Sequence, residues 1–165
     1  MNAIFTRSSV RQFEDREIEP EKIEKILQAG FSAPSALNER PWEFYVVTNR
    51  EKLQDLSKTS QYARPVANAP AAIVVCYNTS TLKTLDFVDI NCAVAAENMW
   101  LEMEELGLGG VFMAVRPFQD RIEAVAKLLN LPEYIVPFNI MPFGYPKNKR
   151  QPKELFNADR VHYIN

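Results

Sequence analysis

Apolar and polar residues alternate along the chain with two different periods, and these periods predict a series of helices and strands. A helix is expected to begin at Glu19-Pro20, because proline is tolerated in the first helical turn. The apolar residues that follow it recur at the spacing of one helical face: Ile23, Ile26, Leu27 and Phe31. A second helix is expected after Asn49, a residue type favoured at the N-cap, and another over Gln119–Leu129.

Apolar runs between these segments predict strands. Trp42–Thr48 is rich in residues that favour strands, and Ala71–Tyr77 is so continuously apolar that it predicts a strand buried on both faces. Val111–Val115 and Tyr134–Phe143 predict two further strands, the last one interrupted by its two prolines. The order of elements predicts an α+β fold with one mixed or mainly antiparallel sheet and flanking helices, although the strand order does not follow from it.

Residues 86–106 have the longest helical pattern, and their apolar side chains surround most of the helix. Such a helix is expected to be buried, and its several acidic and amide residues argue against a membrane span. A small domain has limited room to surround it, so part of its surface is expected at a subunit interface. Gly107, Gly109 and Gly110 are expected to end it.

Composition changes this picture little. The 165 residues suit a single domain over residues 1–165, and a net charge of −2 argues against general nucleic-acid binding. Cys76 and Cys92 lie in apolar segments, which predicts buried free thiols in a reducing compartment. The N-terminus lacks the pattern of an export signal, so we expect a cytoplasmic protein without a membrane segment.

The first candidate for chemistry is the segment 7–11, Arg-Ser-Ser-Val-Arg. Its two guanidiniums and two hydroxyls suit a single phosphate, because arginine presents a planar fork of donors to phosphate oxygens. An ordinary solvated surface segment is the alternative interpretation.

The second candidate is the segment 32–42, which joins a predicted helix to a predicted strand. Ser35 and Asn38 provide hydrogen-bonding side chains on a stretch stiffened by two prolines, and Ala33 and Ala36 are small enough for a flat ring to approach the backbone. An ordinary helix-to-strand connection is the alternative.

Together the two segments resemble the nitroreductase family of flavin enzymes. Its members typically begin with an Arg-x-Ser-x-Arg-type segment, followed by a Ser-Pro-Ser-x-x-Asn-x-x-Pro-Trp-like loop. Further similarities, in chain order, are Phe13, Glu97-Asn98-Met99, Leu106-Gly107-Leu108-Gly109, Gly144-Tyr145-Pro146 and Val161-His162-Tyr163. The resemblance extends from about residue 4 to residue 163, nearly the whole chain.

The resemblance implies an interlocked homodimer with FMN sites built across the interface. It also implies an oxidoreductase that passes electrons from NADH or NADPH, through flavin N5, to a nitroaromatic or quinone-like acceptor. The chemistry would lie on FMN, so no catalytic side chain is expected. No metal is expected either, since one histidine and no close cysteine pair offer no convincing transition-metal site. A ferredoxin-linked or dehalogenating flavin enzyme, or a dimeric flavin-binding protein without turnover, remains an alternative.

The same resemblance implies roles for particular residues. Arg7, Ser9 and Arg11, with Ser8 beside them, would bind the phosphate and ribityl chain. Pro34, Ser35, Ala36 and Asn38 would contact the ring from the partner subunit. Met113, Ala114 and Val115 would lie along the ring edge, where a backbone N–H could bond N5 or O4.

Two positions depart from the family pattern. Pro152-Lys153 match part of a second phosphate contact, but Leu155 replaces its other basic residue. Either Lys153 would act alone, or Lys149 and Arg150 would substitute. Many relatives carry a glycine-type residue where Ala114 or Val115 stands, so the ring-edge contact is expected to differ. The short span between Gly110 and Tyr134 leaves little material for a lid, which predicts an open site.

Overall fold

A computed structural model describes residues 2–148 and 154–164. The helices are α1 (Ala3–Thr6), α2 (Pro20–Phe31), α3 (Arg50–Leu56), α4 (Val88–Glu105) and α5 (Gln119–Leu129), with short 3-10 turns at Ala36–Asn38, Arg64–Asn68 and Ala158–Arg160. The strands are β1 (Trp42–Val47), β2 (Ala71–Asn78), β3 (Gly109–Gly110), β4 (Met113–Ala114) and β5 (Ile135–Gly144).

The strands form one sheet in the order β1-β2-β5-β3, and β4 also pairs with β5. All of these pairings are antiparallel, which confirms the α+β architecture with a mainly antiparallel sheet. β2 is buried over its first seven residues, as predicted, because it has a strand on either side and helices above and below.

The sheet has two covered faces, which we call the α4 face and the α5 face. On the α4 face, side chains such as Ile73 and Val75 pack against α2 and α4. On the α5 face, the alternate side chains, such as Val74 and Cys76, pack against α3 and α5. This division follows from the two-residue period of a strand, which sends neighbouring side chains to opposite faces.

Helix starts are confirmed where a local signal marked them. Pro20 is the first residue of α2, and the Asn49 side chain accepts a hydrogen bond from the Lys52 N–H at 3.0 Å. α5 has the predicted bounds, and α4 is slightly shorter than the predicted segment 86–106.

The glycines and the predicted strand that follows them require a correction. Gly107 alone ends α4, with a left-handed φ of +75°, whereas Gly109 and Gly110 form strand β3. The predicted strand Val111–Val115 is reduced to Met113–Ala114, in the same register against β5 as β3. The pairing breaks opposite Pro142, which has no N–H to give to a neighbouring strand.

The prediction that prolines interrupt the last strand was wrong. β5 runs without a break from Ile135 to Gly144. Pro142 lies opposite the gap between β3 and β4, and Pro137 lies at a shift in register near Val75 and Cys76. Both prolines therefore occupy places where a ladder hydrogen bond is not required. Within the two described ranges, no helix is both long and apolar enough to cross a membrane.

Candidate functional site

The N-terminal segment lies along the free edge of the sheet. The Val10 N–H donates to the Gly110 carbonyl at 2.8 Å, and Ser9 forms a parallel bridge with Gly110. A Cβ at Gly109 would collide with the Val10 side chain, so this close approach requires glycine there. The phosphate-binding candidates are thus attached to the sheet rather than to a loose terminus.

Arg7 is held on α4. Its guanidinium stacks over the Trp100 ring at 4.0 Å, and its Nε lies 3.5 Å from Glu97 Oε1. The Trp100 indole N–H donates in turn to the Gly110 carbonyl at 3.1 Å. Arginine has five N–H donors, so these contacts leave most of the Arg7 fork available to a phosphate.

Of the remaining candidates of this segment, Arg11 lines a cavity. Ser8 and Ser9 are half-buried and Arg11 is exposed. A cavity of about 350 Å³ is lined by Val10, Arg11, Gln12 and Asn148. The structure therefore brings the segment 7–11 next to the start of the basic tail, while Lys149, Arg150 and Lys153 lie outside the described residues.

The register of β4 determines what Ala114 offers to a ligand. The N–H groups of Val111 and Val115 donate to carbonyls of β5. Hydrogen-bonded pairs alternate with non-hydrogen-bonded pairs along an antiparallel strand, so Ala114, opposite Asn139, is in a non-hydrogen-bonded pair. Its N–H and C=O consequently point away from β5, out from the free edge of the sheet. Ala114 is exposed, whereas the Met113 and Val115 side chains are buried on the α5 face.

The phosphate candidates and the ring-edge candidate share this edge. Ser9 lies beside Gly110, and Ala114 follows four residues later along the same line of β3 and β4. Four residues of strand span about 13 Å. The edge thus places cationic and hydroxyl groups at one end and an outward backbone N–H at the other.

The 32–42 segment is closed by its own side chains. The Arg40 N–H donates to Ser35 Oγ and the Arg40 Nε donates to Asn38 Oδ1, both at 3.0 Å, while the Ala36 N–H donates to Asn91 Oδ1 at 2.8 Å. Leu37, Asn38 and Arg40 have positive φ values of 55°, 52° and 48°. Positive φ is unfavourable for residues other than glycine, so this loop is held in a strained shape.

Several buried polar atoms near this loop have no hydrogen-bond partner in the described structure: Glu39 Oε2, Trp42 Nε1 and Asn91 Nδ2. Pro34 is exposed, and Ser35 and Ala36 are half-buried. The strained conformation of the loop and its small, accessible residues make it a surface on which a bound ring or a second chain can pack.

Comparison with known proteins identifies the family. The nitroreductase family model matches residues 4–78 and 62–145. The chain belongs to the nitroreductase family. It is 42% identical, over 162 residues, to a protein of Methanothermobacter thermautotrophicus named "Putative NADH dehydrogenase/NAD(P)H nitroreductase", covering 98% of this chain and 85% of that one.

Solved structures of nitroreductase-family proteins have the same fold. One from Bacteroides thetaiotaomicron, which bears the same name as the archaeal relative, has a TM-score of 0.92 and 42% identity over 98% of this chain and 94% of that one. An FMN-dependent nitroreductase from Clostridium difficile has a TM-score of 0.91 and 29% identity over 99% and 98% of the two chains. The recognition made from the sequence motifs is thereby confirmed.

The residues present fit the FMN of such a nitroreductase. The Arg7 fork and the Ser8 and Ser9 hydroxyls match a phosphate, and the outward N–H of Ala114 matches a ring acceptor. Among the described residues, no group of three or more His, Cys, Asp and Glu side chains is arranged to hold a metal ion.

Two polar clusters near the site were not anticipated from the sequence. Tyr145, in the Gly-Tyr-Pro motif, donates to Glu19 Oε2 at 2.6 Å and accepts from Lys22 Nζ at 2.8 Å. This hydrogen bond from Tyr145 lowers the pKa of Glu19 to about 2. The motif therefore ties the end of β5 to the start of α2, which is a structural role.

The second cluster lies directly after β4. Arg116 Nη1 donates to the Tyr77 hydroxyl at 2.7 Å, and Arg116 Nε lies 2.7 Å from Asp89 Oδ1, in the first turn of α4. This ion pair joins β2, β4 and α4 at one point. Neither Arg116 nor Asp89 was a candidate from sequence, because nothing local marks two residues so far apart as partners.

The titratable groups that could act in catalysis are poorly placed. Cys76 and Cys92 are fully buried, and burial raises the pKa of the Cys92 thiol to about 12 and that of Cys76 further still. His162 is exposed in the tail. A protonated, buried thiol is a poor nucleophile.

Proposed function

We propose that this nitroreductase-family protein uses FMN to pass electrons from NADH or NADPH to a nitroaromatic or quinone-like acceptor. Family membership supports the redox class, and a relative of known structure is named as FMN-dependent. The observation that carries the proposal for this chain is the outward N–H of Ala114, on the same sheet edge as the Arg7–Arg11 segment. Bound FMN would supply hydride acceptance at N5.

The chain itself would bind and orient. Arg7, Ser9 and Arg11 hold the phosphate and ribityl chain, with Ser8 beside them, and Lys153 adds a second cation. The Ala114 N–H donates to the ring edge, with the backbone of Met113 and Val115 alongside. No side chain of this chain acts as an obligatory acid or base, because water reaches an open site.

The site requires a second copy of the chain. Large apolar side chains are exposed at the start of α4 and before it, including Leu85, Phe87 and Ile90, and Leu37 projects from the strained loop. The tail adds Leu155, Phe156, Tyr163 and Ile164, all strongly exposed. Exposed apolar surface of this kind marks an interface. In the homodimer, Pro34, Ser35, Ala36 and Asn38 of the partner subunit contact the ring.

The first experiment is a spectrum of the purified protein under anaerobic conditions. We expect a yellow protein that releases FMN, is bleached by NADH or NADPH, and recovers its colour when a nitroaromatic or quinone is added. Colour that neither nucleotide bleaches would contradict the electron donor and favour a ferredoxin partner or a binding protein. Bleaching without recovery by either acceptor would contradict the acceptor class.

A pair of variants tests the ring-edge contact directly. Ala114→Pro removes the outward N–H without removing a ladder hydrogen bond, and proline is tolerated on edge strands in that orientation. Ala114→Gly keeps the N–H and serves as the control. We expect the proline variant alone to change the bound-flavin absorption spectrum and weaken FMN binding. Identical spectra and FMN affinities in both variants would place the ring elsewhere.

A further inference from the structure

Arg121 lies beside β4, which we call the ring-edge strand because Ala114 is proposed to contact the flavin ring. It lies in the first turn of α5, and its Nη1 donates to the Ala114 carbonyl at 3.0 Å. The C=O and N–H of Ala114 point the same way from the free edge, since both belong to a non-hydrogen-bonded pair. An atom that accepts from the Ala114 N–H therefore lies on the same side of the strand as the Arg121 guanidinium and close to it.

Aromatic rings hold this guanidinium in place. It stacks over the Phe118 ring at 3.9 Å, and the Tyr62 ring lies at 5.6 Å. A cation over an aromatic face is attracted by the ring quadrupole, so Arg121 is a positioned charge and not a freely moving one. One hydrogen bond to Ala114 leaves most of its five N–H donors unused.

The two arginines that flank the ring-edge strand differ in their charge balance. Arg116 is paired with Asp89 at 2.7 Å, and its charge is largely neutralised. No carboxylate among residues 2–148 and 154–164 lies within ion-pair distance of Arg121. The rim beside Ala114 therefore carries an uncompensated positive charge.

We propose that the fixed positive charge of Arg121 raises the reduction potential of the bound flavin. The inference rests on the proposed function. Bound FMN would accept two electrons and one proton as hydride from the nicotinamide, and the ring would gain one negative charge unless water supplied a second proton. A fixed cation near the ring favours that charged form over the neutral oxidised form. The stack on Phe118 and the hydrogen bond to the Ala114 carbonyl would hold the cation beside Ala114 in both redox states.

The test is the midpoint potential of the FMN-loaded protein, measured anaerobically against redox dyes. Arg121→Gln should make the potential more negative by about 30 mV or more, equivalent to a tenfold weaker preference for reduced over oxidised FMN in a two-electron couple. Arg121→Lys and Phe118→Leu keep the charge but release it from the stack, and both should give smaller shifts in the same direction. Lys127→Gln is the matched control, since it removes one exposed charge from the same helix.

Two results would overturn the inference. One is an Arg121→Gln protein that binds FMN with the wild-type potential, and the other is an equal shift in Lys127→Gln, which would reflect net charge alone. If Arg121→Gln does not retain FMN, the test rests on Arg121→Lys and Phe118→Leu. Wild-type potentials in both of these variants would overturn the inference. A wild-type protein that binds no FMN would instead contradict the proposed function.

Discussion

The two faces of the sheet differ in how far a single chain completes them. On the α5 face, Leu53, Leu56 and Val125 are fully buried beneath two amphipathic helices. On the α4 face, the middle of α4 is equally well buried, but Ile90 near its start is 60% exposed. The 7–11 segment and the 32–42 loop contact α4, whereas α5 reaches the candidate site at the sheet edge, through the hydrogen bond from Arg121 to the Ala114 carbonyl. The hydrophobic core on the α5 face is therefore complete within one chain. We expect dimer formation and cofactor binding on the α4 face, which we call the unfinished face.

The largest effect is expected from a charge introduced on the unfinished face. Ile90→Asp should prevent dimer formation and with it FMN binding, because a carboxylate buried in an apolar interface without a partner is strongly unfavourable. Light scattering should show the wild type at twice the 18.9 kDa chain mass and the variant as a monomer without flavin.

Tyr134→Asp is the control, since Tyr134 is exposed near the end of α5. It should remain a flavin-loaded dimer. A flavin-loaded monomer of Ile90→Asp at micromolar concentration would contradict the role given to the α4 face.

The same contrast explains which features the sequence could reveal. Helix α5 and strand β2 were predicted correctly because each depends on the period of its own apolar residues. The exposed apolar residues of α4 were anticipated for the same reason. The short helix α1 and the 3-10 turns were not predicted, since segments of three to five residues show no period.

The sheet edge that joins the site could not be predicted, because it depends on contacts between distant residues. The Val10–Gly110 hydrogen bond joins positions a hundred residues apart, and only the register of β4 reveals that the Ala114 N–H points outward. Arg121 was not a candidate from the sequence, because nothing local marks it as a partner of Ala114. The motif residues were found locally, but their common edge required the fold.

Substitutions that create a cavity on each face would test whether the two faces differ in their effect on FMN binding. Leu56→Ala on the α5 face should lower the free energy of unfolding by about 2–5 kcal/mol, as other large-to-small core substitutions do. It should leave the FMN affinity of the folded protein unchanged. Met99→Ala, on the buried side of α4, should destabilise by a similar amount and also weaken FMN binding. Urea unfolding and FMN titration would show this, and equal effects of both variants on FMN would argue against a division of roles.

Loss of the proposed phosphate contact is expected to affect FMN binding on the α4 face. Arg7→Ala should weaken FMN binding by about 1.5–3 kcal/mol, the contribution of a hydrogen bond to a charged group. Arg64→Ala, an exposed arginine beside the α5 face, is the matched control and should bind FMN like the wild type. An unchanged FMN affinity in Arg7→Ala would contradict the phosphate site and favour the interpretation of the Arg7–Arg11 segment as an ordinary solvated surface.

The link between α2 and β5 makes a smaller contribution that depends on pH. The Tyr145 hydroxyl keeps the pKa of Glu19 at about 2, below its ordinary value of 4.5. A lowered carboxyl pKa stabilises the fold above the ordinary value, and this stabilisation is lost as pH falls through the folded pKa. Tyr145→Phe should therefore be destabilising at pH 7, and the difference from wild type should shrink below about pH 4.5. In a Glu19→Gln background the effect of Tyr145→Phe should not vary with pH between 5 and 3.

The smallest effects are expected from the side chains most often suspected of catalysis. Cys76 lies on the α5 face and Cys92 on the α4 face, and burial keeps both thiols protonated. Hydride transfer requires the nicotinamide stacked close to the flavin in a reactive geometry, not a protein nucleophile. Cys76→Ser, Cys92→Ala and His162→Ala should therefore keep the stopped-flow rate of flavin reduction within roughly tenfold, whereas general acid–base residues contribute about 10²–10⁴-fold. A loss of about a thousandfold in any of the three, with FMN bound and the fold intact, would identify a catalytic side chain and end the view that this chain only binds and orients.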